Sequence, residues 1–75
     1  MKRAEVIRVQ MYLRNAFGTD RITVHERKEK DDSAEVHLAG EFIGVVFRDD
    51  EEGDVSYDFH MTILDMDLPP APHGV

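Results

Sequence analysis

The chain has 75 residues, a formal net charge of −7 and no cysteine. A length of 75 supports one domain with a thin core, and without cysteine there is no disulfide, thiolate nucleophile or cysteine-type zinc site. The acidic balance opposes both nucleic-acid phosphates and anionic lipid, so neither is expected as a partner.

Residues 3–17 carry Val6, Val9, Leu13, Ala16 and Phe17 at three- and four-residue steps, with no Pro or Gly between them. This spacing predicts one amphipathic helix, and Gly18 is placed to end it in the left-handed conformation. Ala4, Ile7 and Met11 lie about a third of a turn off that stripe. They make either a wide core-facing surface or a second contact face; the first is the simpler account.

Residues 21–29 start as a strand, with Ile22 and Val24 alternating against Thr23 and His25. The charges that follow suit an edge strand, and residues 30–33 read as a turn. Three further strands are predicted over residues 34–38, 42–47 and 55–64. Ala39-Gly40 joins the first pair, and the acidic segment 49–54 joins the second. Proline-rich residues 69–75 are expected to be a disordered tail beyond a single domain of residues 1–68.

A two-residue loop at Ala39-Gly40 would oppose Val36 to Ile43 and His37 to Phe42. The acidic loop would then place Val45 opposite Tyr57 and Ile43 opposite Phe59. Pairing His25 with His37 sets Val24 beside Leu38. Opposed residues share a face. One face therefore collects Ile22, Val24, Val36, Leu38, Ile43, Val45, Phe47, Val55, Tyr57, Phe59 and Met61. The expected architecture is α+β in two layers: an N-terminal helix on one face of a four-stranded antiparallel meander.

The opposite face is mostly polar, but Phe42 and Val46 stand near its middle as an apolar patch that a homodimer could cover. His25, His37 and His60 also fall in one row there. His60 would lie two strands from His37, too far for a shared tetrahedral metal, so no metal site is expected. The acidic segment 49–54 lacks the alternating ligand spacing of a calcium loop, and Asp65-Met66-Asp67 is too common a spacing to carry weight. No nucleophile motif, phosphate loop or enclosed acid–base pair is present, so neither an enzyme nor a cofactor is expected.

Tyr12-Leu13-Arg14, Phe17-Gly18, the run 30–36 and above all the run 41–51 resemble a family of uncharacterised alphaproteobacterial proteins, domain of unknown function 3126. The likeness covers nearly all of residues 3–68. It implies a short, free-standing cytoplasmic protein and brings no activity, cofactor or catalytic residue. With no apolar stretch behind Lys2 and Arg3 to act as a secretory signal, and no apolar run long enough to span a bilayer, the residues point to the same compartment.

The function expected is a noncatalytic protein-interaction module, self-associating or binding an unknown protein. Phe42 and Val46 are the first contact residues, with Ile7 and Met11 second. The alternative is a small-ligand or metal-binding domain using His25, His37 and Asp58 or His60 on the outer sheet face.

Overall fold

The structure, a computed structural model, describes residues 1–28 and 32–75. Helix α1 spans Arg3–Phe17, followed by strands β1 (Ile22–Glu26), β2 (Ser33–Leu38), β3 (Glu41–Asp49) and β4 (Ser56–His60), then a 3-10 turn, Asp65–Asp67. The four strands form one antiparallel sheet in the order β1-β2-β3-β4. The expected helix-on-meander architecture is therefore the observed one. Residues 29–31, the end of the charged run and the first half of the expected turn, lie outside the described residues.

Helix α1 starts where the Lys2 amide donates to the Glu5 carboxylate at 2.9 Å, filling one of the free positions of its first turn. Gly18 ends it at φ 66°, the left-handed position foreseen for it. Val6, Val9 and Leu13 point inward and meet Ile22, Val24, Ala34, Val36 and Val46 in the core. Ile22, Ala34 and Val36 are fully enclosed.

The strand registers depart from expectation in three places. Between β1 and β2, Val24 opposes Val36 and His25 opposes Glu35. This is a two-residue slide from the anticipated pairing. A slide of two keeps every side chain on its own face, so facial alternation alone does not select between the registers. The adopted one sets Ile22 against Leu38 and Val24 against Val36, apolar against apolar.

Between β2 and β3 the hairpin begins as foreseen, with Leu38 opposite Glu41 and His37 opposite Phe42. Ala39 and Gly40 both take positive φ, 51° and 86°, as a two-residue primed turn requires. A bulge follows. Val36 opposes Gly44 rather than Ile43, so Ile43 is an extra residue in β3. One inserted residue reverses the side that every later side chain faces. Val46 consequently turns into the core, 1% exposed, opposite Ala34. Its assignment to a surface contact patch is corrected by that bulge. Val45 and Phe47, expected inside, turn outward, and Phe47 is exposed.

Between β3 and β4, Val46 opposes Phe59 and Arg48 opposes Tyr57. Against expectation this is a slide of three residues. An odd slide and the bulge each reverse the face once, so Tyr57 and Phe59 still look toward α1. Pairing stops at Val45–His60. The expected strand 55–64 is thus cut to five residues, and Val55 and Met61, expected in the core, are exposed.

Candidate functional site

Helix α1 does not sit centrally on the sheet. It leans on β1 and seals that edge. In an antiparallel edge strand, alternate residues turn their amide and carbonyl away from the sheet. At β1 these groups are taken by helix side chains: the Val24 amide donates to Gln10 Oε1 at 3.0 Å, and Arg14 Nε donates to the Ile22 carbonyl at 2.7 Å. Neither contact is legible in the sequence, because both residues read simply as the polar side of the helix.

The lean leaves the other half of the inner face uncovered. A largely apolar groove of about 460 Å³ opens between α1 and the β3–β4 side of the sheet. Arg8, Tyr12 and Leu13 form its helix wall, Tyr57 and Phe59 its strand wall, and Val46 lies in its floor. Tyr12 is 70% exposed, and Phe17 stands at the far end with its ring centroid 6.3 Å from that of Phe59. Strand β4 presses close to β3 here. A Cβ on Gly44 would come within 2.6 Å of the Phe59 ring and meet the His60 carbonyl as well. Only glycine admits that approach.

A polar cluster closes one end of the groove. The Tyr57 hydroxyl donates to Glu5 Oε2 at 2.8 Å. Arg48 Nε stands 2.7 Å from the same oxygen, an ion pair whose N–H is not aligned for a hydrogen bond. Arg48 Nη1 donates to Asp50 at 2.9 Å and lies 3.6 Å from Asp32. The Lys2 amide, the Tyr57 hydroxyl and the Arg48 charge together hold the Glu5 carboxyl down at about 2. Hydrogen bonding to Glu5 raises the Tyr57 hydroxyl, and the Asp50 hydrogen bond raises Arg48 further. At neutral pH, Glu5 is an anion, Arg48 a cation and Tyr57 a neutral phenol. None is poised to exchange a proton, so the cluster works as a clasp joining the start of α1 to β3 and β4. The sequence signal for half of it was available: a Glu three residues into a helix. Arg48 was not legible, because only the bulge turns it toward α1.

The remaining predicted residues are dispersed. His25 and His37 do meet, ring centroids 4.7 Å apart, and His37 Nε2 lies 3.1 Å from Glu35. His60 instead packs edge-on against Phe47 at 5.1 Å, toward the opposite edge of the sheet. The three-histidine row is not assembled, and no three His, Asp or Glu among the described residues could share a metal ion. Phe42 is 57% exposed on the outer face, its ring edge-on to His37. Ile7 and Met11 are exposed on the helix, 42% and 64%. None of these three lines the groove.

Residues 5–67 match the family described as a protein of unknown function, DUF3126. The chain belongs to that family. No curated protein and no solved structure matches this DUF3126 chain. Among its described residues, no helix is long and apolar enough to cross a membrane.

Proposed function

We propose that this DUF3126 chain is a noncatalytic protein-interaction module that associates with itself through the β4 side of its sheet. The observation that carries this reading is an apolar groove left open beside an apolar segment that its own chain does not use. Met61, Ile63, Leu64, Met66 and Leu68 follow β4 and are all at least half exposed. Solvent reaches 6242 Å² of an 8.6 kDa chain, against about 4,700 Å² for a compact monomer of that mass. The radius of gyration is 14.8 Å against about 11 Å. The excess, about 1,500 Å², includes the proline-rich residues but exceeds the roughly 800 Å² that each partner contributes to a standard interface.

Sedimentation equilibrium of the full chain from about 1 μM to about 1 mM tests the proposal. A concentration-dependent rise from 8.6 kDa toward twice that mass is expected. A single 8.6 kDa species throughout, with no heavier complex in pull-downs from the native cell, would end it.

A further inference from the structure

The alternation that defines β4 does not stop where its pairing stops. Tyr57, Phe59, Met61 and Ile63 occupy odd positions, and Asp58, His60 and Thr62 the even ones. That is the pattern of one half-buried strand seven residues long. Within its own sheet the strand has a partner only as far as His60, whose pairing with Val45 is the last, two residues past the bulge at Ile43. Met61 and Ile63 are 51% and 63% exposed, although they carry the core-facing parity of Phe59.

The two sheet edges also differ. Gln10 and Arg14 occupy the outward groups of β1. Among the described residues no side chain covers the outward groups of β4 in this way, and an unpaired edge is a template for another strand.

Resting on the self-association reading, we infer that the 57–63 segment pairs antiparallel with the same segment of a second copy, about a two-fold axis at His60. This register opposes Tyr57 to Ile63 and Phe59 to Met61 in both directions, so every apolar residue of the segment meets an apolar residue. Because opposed residues share a face, Met61 and Ile63 of each copy enter the groove of the other, beside Phe59 and Tyr57. The product is a continuous eight-stranded sheet with a helix at each end.

Charge supports the same occupant. Beyond Ile63 the entering segment carries Asp65 and Asp67. It runs antiparallel to β4, toward the Glu5 end of α1. Arg8 lines that stretch of the groove and makes no ion pair among the described residues. The surface excess of about 1,500 Å² is larger than the roughly 800 Å² that each partner of such an interface removes from water.

The chain has no cysteine, so a single introduced thiol reports position cleanly. At the axis, two Cα atoms of an antiparallel pair stand about 5 Å apart, within disulfide range. His60→Cys should therefore form a covalent dimer on mild oxidation, while Thr23→Cys on β1 should not. Met61→Asp with Ile63→Asp should weaken dimerisation roughly tenfold or more, with unchanged circular dichroism, because both side chains are exposed in the single chain. Phe42→Asp should leave it unchanged.

A dimeric wild type whose His60→Cys form resists oxidation, and whose double Asp variant stays dimeric, would overturn this pairing and leave self-association standing. A monomeric wild type at every concentration would overturn both. A monomer destabilised by the double Asp change would put the segment in its own groove and equally refute the pairing.

Discussion

Val45 and Val46 are neighbours of identical chemistry, and the bulge at Ile43 sends them to opposite faces. Val46 is 1% exposed in the core, opposite Ala34 and Phe59, whereas Val45 is half-buried opposite Glu35 and His60. Val46→Ala removes two enclosed methyl groups. Their transfer from water contributes about 1.6 kcal/mol, and the cavity left behind adds about 1 kcal/mol. The sum, about 2.5 kcal/mol, is large beside the roughly 4–11 kcal/mol that stabilises a domain of this length. Val45→Ala should cost less than about 1 kcal/mol. Urea denaturation reads the difference. With a slope near 1 kcal/mol per molar, the Val46→Ala midpoint should fall by about 2.5 M and the Val45→Ala midpoint by under about 1 M. The aspartate pair sharpens the contrast: Val46→Asp buries an unpaired carboxylate and should unfold the domain, and Val45→Asp should leave it folded. Equal losses at the two sites, or a greater loss at Val45, would refute the face assignment and with it the floor of the groove.

Ala39 holds φ 51°, a left-handed value that costs an alanine about 1 kcal/mol. Ala39→Asn creates the Asn-Gly pair this turn prefers and should raise stability by about 0.5–1 kcal/mol, read as an upward shift in melting temperature. Glu5 lies at about 2 in the folded chain, below its ordinary 4.5. Its contribution is therefore complete above 4.5 and is lost as pH falls through about 2. Glu5→Gln should be less stable than wild type at pH 7 and should lack that share of the acid loss. Parallel acid-denaturation curves for the two proteins would show that the clasp with Tyr57 and Arg48 does not hold Glu5 as described.

Much of the fold was legible because local signals agreed with one another. The helix stripe of Val6, Val9 and Leu13, its end at Gly18 and the turn at Ala39-Gly40 each depend on a few adjacent residues. Their period or backbone demand is written directly in the chain. The sheet register was not legible to the same degree. Ile43, Val45, Val46 and Phe47 are apolar in near succession, so alternation gives no instruction about where an extra residue enters. Gly44 was the available hint, since an isolated glycine within a strand marks a bulge or a close backbone approach, and here it accompanies both. Without the bulge, Val46 falls on the surface and Arg48 away from α1, and the groove and its clasp cannot be assembled. Phe42 lies exposed where the pattern placed it. Ile7 and Met11, for which a wide core-facing surface is the simpler account, are exposed instead because α1 leans on β1, and the open apolar surface centres on Tyr57 and Phe59. The histidine row failed for the same reason as the patch. Residues spread over three strands inherit every register error between them.

Amide hydrogen exchange across residues 57–63, followed in dilute and in concentrated solution, tests the self-association most directly. In the single chain Met61 and Ile63, whose amides share the outward direction of Tyr57 and Phe59, lie past the last residue paired with β3. Their amides should exchange freely when dilute and slow markedly as the second copy supplies a strand, while β1, already sealed by Gln10 and Arg14, stays constant. Exchange at Met61 and Ile63 that is equally fast at both concentrations, in a protein whose mass doubles, would contradict pairing at this edge; equal rates with no change of mass would contradict self-association itself.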